Sequence, residues 1–394
     1  MQLPRIYTLG SSPLFLLISH EIARLSDPSK NIPNLILLLS DPLKLKRFLN
    51  NDSKIVVKGG SVSSDPIFQY MAACTPPTLV TNDKIILENL VVMERNPKKL
   101  LADFKKYKGS LNDKSNVLLI NPPMGILEIL ENKIWDDSKK PKFFLGLTDK
   151  DEQLLTVNKS IYNSNLILNT AMLSQYSKEF SVQLNPLLWG DKIRLMITQI
   201  PILTTDLQSR LSFNQTIKNN NLKEQNDLIH IMSQLNKFNT SIIEFTDFQC
   251  LRLEKCIMNS CIESLAVLFD CKYVHDLLMI KNYKTLLKVI IAEQLEIITK
   301  SYPYLLDSTD FYTIFNVDRL YELIIMRLQD FKSKSRAYKD MQRLNLQIID
   351  DLNGYFVRLG YKNKINCKWN KMLSWLLRGK LDIKKQTLKS NFHM

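Results

Sequence analysis

Two polar residues interrupt an apolar stretch in the second half of the chain, at a spacing that could support chemistry. Lys255 and Asn259 lie four residues apart, so on a helix they share one face. An ammonium group in such a place can donate to a substrate oxygen, provided that a partner acid or base lies within reach. The alternative is structural, because the lysine could instead pair with Glu254, Glu263 or Asp270, or extend to solvent.

The other patterns that usually identify an enzyme or a metal site do not occur in the sequence. There is no G-x-S-x-G, P-loop or H-E-x-x-H pattern, and the histidines are scattered. No two cysteines form a C-x-x-C pair, so we predict no metal site. The cysteines are Cys74, Cys250, Cys256, Cys261, Cys271 and Cys367. Several of them lie among apolar residues, which indicates reduced, buried thiols in an intracellular compartment.

The N-terminal stretch carries a degenerate form of the glycine-rich turn that binds the pyrophosphate of a dinucleotide. In the pattern G-x-G-x-x-G, the glycines let the backbone approach the phosphates at a helix N-terminus. Gly10 keeps the first glycine, but Ser12 and Phe15 occupy the other two positions. Asp41, after the second apolar run, would repel the 2′-phosphate of NADP. We therefore expect no bound cofactor here, and a structural turn instead.

Short apolar runs alternate with helical stretches through the first half of the chain. Runs such as NLILLL (34–39) are typical of strands that are buried on both faces of a parallel sheet. This alternation predicts an α/β domain with a Rossmann-like βαβ sheet, which we place at 1–205. The predicted elements are strands at 5–9, 34–39, 54–58, 117–120 and 143–147, with helices at 13–25 and 43–49.

A polar, Asn-rich stretch then separates two kinds of sequence. We interpret it as a linker at 206–225, followed by an all-α domain at 226–394. Within this domain Leu287, Ile291, Leu295 and Ile298 recur at helical spacing and mark a buried face. No run approaches the ~20 apolar residues of a membrane span. Helices are predicted at 227–238, 246–269, 283–301, 317–331, 343–360 and 369–377.

The charge of the chain is strongly positive, with 53 Lys and Arg against 39 Asp and Glu, a formal net charge of +14. This excess favours contact with polyanions such as RNA, ribosomes or anionic lipid headgroups. A basic amphipathic helix is predicted at 98–108, which could contact an RNA backbone or a membrane surface.

The C-terminal third concentrates this charge and interleaves it with Tyr361, Trp369 and Trp375. Lysines could neutralise phosphates, and exposed rings could stack on unpaired bases. Trp375 lies beside two leucines, so we expect it in the core. The candidates for facing RNA or a ribosome are Lys332, Lys334, Arg336, Lys339, Lys362, Lys364, Lys368, Lys371, Arg378, Lys380, Lys384 and Lys385.

Two C-terminal stretches, LEKCIMNSCIESLAVLFDC (253–271) and IIDDLNGYFVRLG (348–360), resemble the ketopantoate reductase family. The resemblance implies a Rossmann-like domain followed by a helical one. It also implies that Lys255 corresponds to a lysine that donates to the substrate during hydride transfer, and Asn259 to an asparagine that orients it. Asn121 falls on an asparagine that contacts substrate or cofactor, although proline replaces the glycine that follows.

The same resemblance shows two departures from the family pattern. Ile348 stands where the family has its catalytic glutamate, and Arg336 stands where it has a serine. General acid–base chemistry needs its partners, and Lys255 has lost its counterpart. The resemblance therefore implies a reductase fold without the reductase reaction, a pseudoenzyme with no catalytic residues of its own.

A narrower resemblance covers nearly the whole chain. The segments KLKRFLNNDSKIVVK, QYMAACTPP, SYP, LNGYFVRLG and NCKWN are similar to the fungal mitochondrial translational activators of cytochrome b mRNA. That family is itself similar to ketopantoate reductases. It implies a matrix protein, peripheral to the inner membrane, that acts with the mitochondrial ribosome and the cytochrome b mRNA leader, directly or through another activator. No presequence is visible in the sequence.

Other classes of function stay open at this point. One is an NADPH-binding oxidoreductase with a rearranged site, and another is a regulator that senses a nucleotide without turning it over. A third is a structural ribosome-associated factor without mRNA specificity.

Overall fold

A large, mostly parallel sheet organises the N-terminal half of the protein. Its strand order, among the described residues, is β11-β10-β8-β7-β6-β1-β2-β5. β8 and β10 are antiparallel and the other neighbours are parallel. A smaller sheet has the order β4-β3-β9. The strands are β1 (Ile6–Gly10), β2 (Leu35–Leu38), β3 (Lys54–Lys58), β4 (Phe68–Gln69), β5 (Met71–Ala73), β6 (Asn89–Met93), β7 (Asn116–Ile120), β8 (Lys142–Thr148), β9 (Ser181–Gln183), β10 (Ile193–Gln199) and β11 (Phe238–Ile242).

This computed structural model describes residues 4–25, 35–58, 67–81, 83–135, 140–149, 180–183, 192–200, 222, 226–308, 310–329 and 334–391. Most of the predicted linker at 206–225 lies outside these ranges, as does Lys332.

The helices of the N-terminal half begin where the sequence provides caps. Proline occupies the first position of α1, α2 and α3, where its missing N–H costs no hydrogen bond. Asp41, Asn96 and Asn226 accept backbone hydrogen bonds at the starts of α2, α3 and α5. The basic helix predicted at 98–108 is α3. The helices are α1 (Pro13–Leu25), α2 (Pro42–Leu49), α3 (Pro97–Tyr107), α4 (Ile126–Lys133) and α5 (Asp227–Ser233).

The chain divides into two units, Met1–Phe245 and Thr246–Met394. The predicted start of the helical domain at 226 is therefore too early. The stretch expected as a helix over 227–238 is the short helix α5, and β11 then pairs with β10 in the large sheet. Leu228, Ile231 and Phe238 are buried in the same core as β1 and α1. This segment completes the sheet rather than opening the helical unit.

The second unit is helical, as predicted. Leu287, Ile291 and Ile298 are fully buried on one face of α7, which confirms the periodicity. The helix expected over 343–360 begins later, at Gln347, because Leu344 has a left-handed backbone (φ 58°) in the turn after Gln342. No helix in the described part of the chain is long and apolar enough to cross a bilayer. The helices are α6 (Phe245–Leu268), α7 (Tyr283–Ser301), α8 (Phe311–Ile314), α9 (Val317–Gln329), α10 (Arg336–Gln342), α11 (Gln347–Lys362) and α12 (Lys368–Asn391).

Candidate functional site

In the degenerate glycine turn at the end of β1, the protein's own side chains fill the space next to the backbone. Phe15 is buried in the first turn of α1 and packs on Gly10, where an added Cβ would lie 3.2 Å from Cβ of Phe15 and 3.0 Å from the carbonyl oxygen of Met93. The backbone N–H of Phe15 donates to Oγ of Ser12 at 3.2 Å. A helix N-terminal donor that could otherwise bind a phosphate is therefore occupied.

An internal ion pair lies beside this turn. Glu94 follows β6 directly, and its Oε2 is 2.5 Å from Nζ of Lys99. The same ammonium group donates to Oγ of Ser11 at 3.3 Å. The ion pair links the loop after β6 to the loop after β1, the two loops that flank a dinucleotide in this kind of sheet. The nearly buried Glu94 carboxylate would also repel a pyrophosphate.

Asp41 and Asn121 also have structural partners. Oδ1 of Asp41 accepts the backbone N–H of Lys44 at 2.7 Å, and this hydrogen bond keeps the pKa of Asp41 below its usual value. Asn121 has a left-handed backbone (φ 48°) after β7. Its side chain donates to Oγ1 of Thr148 at 2.8 Å and accepts that residue's N–H at 3.0 Å. The residues of this sheet edge do not fit NADP(H). The phosphates of the cofactor would meet the carboxylates of Asp41 and Glu94, and the N–H of Phe15 and the amide of Asn121 already donate to protein oxygens.

In the helical unit, Lys255 and Asn259 lie on one face of α6, and Glu263 continues that face another turn along. The three carboxylates considered as partners for Lys255 contact other cations. Glu254 lies 2.7 Å from Arg319, and Asp270 lies 2.7 Å from Lys380. Glu263 contacts α10.

Glu263 is the centre of a buried polar cluster. Its Oε2 accepts hydrogen bonds from Oγ of Ser335 at 2.7 Å and the backbone N–H of Ala337 at 2.9 Å, while its Oε1 accepts from Nε of Arg336 at 3.1 Å. The carboxylate therefore caps α10 and neutralises the arginine. Arg336 was predicted to face RNA. It instead points to Glu263, and its side chain is only 19% exposed.

Ile348, which the resemblance places at the family's acid position, is part of an apolar surface. It packs against a cluster that joins α6, α10, α11 and α12. One turn further along α11, burial raises the pKa of Asp351 to about 7. The cluster residues are Val267, Ala337, Met341, Leu346, Ile349, Leu377 and Leu381.

The cysteines of this unit are buried, as predicted. Burial raises the pKa of the Cys256 and Cys261 thiols to about 12. They stay protonated at neutral pH and are poor nucleophiles and metal ligands.

The structure divides the predicted RNA-facing residues into two groups. Arg378 lies 3.0 Å from Asp350, Lys380 pairs with Asp270, and Lys384 contacts Oε1 of Gln342, so these cations serve the helix packing. Lys334 lies 5.9 Å from the ring of Tyr273. The exposed members outside these contacts are Lys339, Lys362, Lys364, Lys368 and Lys385.

The expectation that Trp375 lies in the core is wrong. Its side chain is 60% exposed on α12, and Tyr361 at the end of α11 is 59% exposed. The Nζ atom of Lys371 lies 4.8 Å from the ring centroid of Trp375 and 5.3 Å from that of Tyr361. These three residues form what we call the aromatic clamp.

The fold defines a class of protein: a parallel-sheet Rossmann-like unit followed by a helical unit, as in ketopantoate reductases. Residues 247–381 match the family described as ketopantoate reductase PanE/ApbA C terminal. The probable 2-dehydropantoate 2-reductase of Bacillus subtilis superimposes with a TM-score of 0.60 at 13% identity, over 95% of this chain and 99% of that chain. A D-mandelate dehydrogenase solved with NADH and anilino(oxo)acetate gives 0.61 at 11% identity, over 96% and 98%. These two likenesses establish the fold alone.

A relative of different function is more similar in sequence. The cytochrome b translational activator CBS2 of Saccharomyces cerevisiae is 32% identical over 98% of this chain and 97% of its own length. The chain belongs to the family of this activator, which confirms the narrower resemblance found in the sequence. A probable 2-dehydropantoate 2-reductase of Schizosaccharomyces pombe is 21% identical over 96% of this chain and 97% of its own.

Proposed function

We propose that this protein activates the translation of cytochrome b mRNA in mitochondria and catalyses no reaction. The observation that carries the proposal is the similarity to the yeast activator, because it runs through both units at 32% identity. A shared fold alone would not support it, since one fold hosts many functions.

The replaced residues support a non-catalytic role. A reductase of this fold needs a cofactor and an acid that works with the lysine. Here the cofactor edge contains the Lys99–Glu94 ion pair, and the acid position is Ile348 on an apolar cluster. Putting a carboxylate there would require removing a charge from water among hydrocarbon groups.

The exposed basic residues of the helical unit support contact with a polyanion in the same process. We propose that they face the mitochondrial ribosome or the cytochrome b mRNA leader, the latter directly or through a second activator. The proposed location is the matrix, with peripheral contact to the inner membrane. Contacts of this kind weaken as salt rises, because bound lysines release the counterions of the phosphates.

Deleting the gene in the source organism should abolish labelling of newly made cytochrome b and leave the other mitochondrial products intact. A Lys255→Ala variant should restore cytochrome b synthesis as fully as the wild type, because the lysine has no reaction to perform. Pulse-labelling of mitochondrial translation products measures both results. Equal loss of all products would contradict mRNA specificity. Failure of a stably folded Lys255→Ala variant would contradict the non-catalytic role.

Titration of the purified protein with NADPH should give no binding signal at millimolar cofactor in calorimetry. The reason is that Phe15, Glu94 and Lys99 close the edge of the sheet where a pyrophosphate would bind. A ketopantoate reductase titrated in parallel serves as the positive control. Saturable binding would contradict this account of the turn, and oxidation of NADPH after addition of ketopantoate would contradict the proposed function.

A further inference from the structure

The aromatic clamp has a geometry that ordinary surface packing does not require. Tyr361 and Trp375 are both more than half exposed, yet the ammonium group of Lys371 lies within 5.3 Å of both ring centroids. Cation–π contacts of this kind fix the orientation of the rings. Most of the surface of Tyr361 and of Trp375 still faces solvent.

The clamp stands on a rigid base. A Cβ on Gly360 of α11 would lie 1.8 Å from Sγ of Cys367, the residue just before α12, so only glycine fits where the two helices meet. At the start of α12, the buried Glu293 accepts the backbone N–H groups of Trp369 and Asn370 at 2.7 and 2.9 Å. The ends of the two helices that carry the rings are therefore fixed relative to each other.

Unpaired cations surround the clamp. Lys362, Lys364 and Lys368 are exposed, and no ion pair with a carboxylate forms at these lysines or at Lys371 within the described part of the chain. Further along α12, Lys380 pairs with Asp270 and Lys384 contacts Gln342, whereas Lys385 is exposed. Free positive charge thus coincides with the exposed rings.

We propose that the clamp binds single-stranded RNA, with unpaired bases stacked on Tyr361 and Trp375 and phosphates contacting the surrounding lysines. This inference rests on the proposed function and names the class of ligand for its basic surface. Proteins that bind single-stranded nucleic acids combine aromatic rings with cations, because every base has a π-face and every phosphodiester linkage carries a negative charge. A duplex cannot use the rings, since its bases are already stacked.

A lipid surface fits these observations less well. An interfacial helix inserts an apolar face and keeps its cations at the edges of that face. Here the ammonium group lies between the two rings, so inserting the rings would also strip water from a charge.

The test measures binding of the full-length protein to a fluorescent oligouridine of about 15 nucleotides, within the site sizes typical of single-strand binders. Tyr361→Leu and Trp375→Leu should each weaken binding roughly tenfold, the loss typical of one stacked base. Trp375→Phe should retain most of the affinity because it keeps a ring. Tyr312→Leu is the matched control, since Tyr312 is 71% exposed in the same unit but lies outside the clamp, and it should bind like the wild type.

A second ligand and a further variant sharpen the experiment. Affinity for an RNA duplex of equal length should stay the same in the leucine variants. Lys371→Met should reduce the slope of log affinity against log salt concentration by about the amount that one phosphate contact contributes. Thermal unfolding of each variant verifies that these exposed substitutions leave the fold intact.

The test also includes the Tyr361→Leu, Trp375→Leu double variant and the binding of each variant to cardiolipin vesicles. Three outcomes would overturn the proposal: the double variant keeps its affinity for single strands, the leucine variants lose affinity equally for duplex and single strand, or they lose binding only to the vesicles. The last would assign the rings to a membrane surface. Failure of the proposed function would look different. In that case deletion of the gene would leave cytochrome b synthesis intact, while RNA binding in vitro would still depend on the clamp.

Discussion

Replacing Glu263 by alanine should lower the free energy of unfolding by about 3–5 kcal/mol, the cost of removing one partner from a buried ion pair. The substitution would leave Arg336 with an uncompensated charge in a site where its side chain is 19% exposed. It would also remove the acceptor for Ser335 Oγ and for the backbone N–H of Ala337, so α10 would lose its cap. Urea denaturation followed by far-ultraviolet circular dichroism measures the change.

Asp270→Asn provides the control, because it removes a carboxylate from another ion pair of the same unit. Asp270 is 67% exposed, so its pair with Lys380 should contribute at most about 1 kcal/mol. The double variant Glu263→Met, Arg336→Met should recover most of the loss, since hydrophobic replacement of a buried pair is often neutral. If Glu263→Ala costs no more than Asp270→Asn, the pair does not hold α10 in place.

Because of this ion pair, we expect that one substitution would not restore the catalytic pattern that the family resemblance implies. Ile348→Glu alone would place a carboxylate on the apolar cluster of α6, α10, α11 and α12. Arg336 would still be bound to Glu263, on the same face of α6 as Lys255 and Asn259. The two departures are therefore coupled through α10, which begins at Arg336 and packs on that cluster.

The sequence predicts well those elements whose signal is local. The apolar runs of β1, β2 and β7 and the helices α1 and α2 are confirmed, because burial on both faces and helix capping each leave a pattern within a few residues. It missed β6 in the middle of the sheet, although NLVVM (89–93) is also an apolar run. The run is short and bounded by Glu88 and Glu94, so nothing local separates it from a helix.

Long-range partnerships leave no such pattern. Glu263 and Arg336 are 73 residues apart, so only the folded chain shows that they meet. The exposure of Trp375 was predictable, however. Leu373, Leu377 and Leu381 recur at intervals of four and are buried, which places Trp375 on the opposite side of α12. The error came from weighing its neighbours in sequence rather than the helical period.

Glu293 of α7 holds the start of α12, although in the sequence it is only an acid within a largely apolar helix. Replacing it by alanine should lower the free energy of unfolding by about 2–4 kcal/mol. Its Oε1 accepts both the backbone N–H and the side-chain amide of Asn370, at 2.9 and 2.8 Å, and Oε2 accepts the N–H of Trp369 at 2.7 Å. These buried donors would lose a charged acceptor at once.

The loss should spread through the polar network that Asn370 joins. Oδ1 of Asn370 accepts hydrogen bonds from the side chains of Gln294 and Asn353, at 2.8 and 3.1 Å. Losing Glu293 would let Asn370 reorient and leave those amides without an acceptor. Amide hydrogen exchange should therefore accelerate at the start of α12 before the unit unfolds globally.

Glu296→Ala, one turn along the same helix, is the matched control. Its carboxylate pairs with Lys300 at 2.7 Å, but both side chains are more than half exposed, so the expected cost is below about 1 kcal/mol. If the two variants lose equal stability, the cap on α12 is not what Glu293 provides. If Glu293→Ala also weakens single-stranded RNA binding beyond its loss of folded protein, the cap orients the clamp, because Lys371 and Trp375 lie in the first two turns after it.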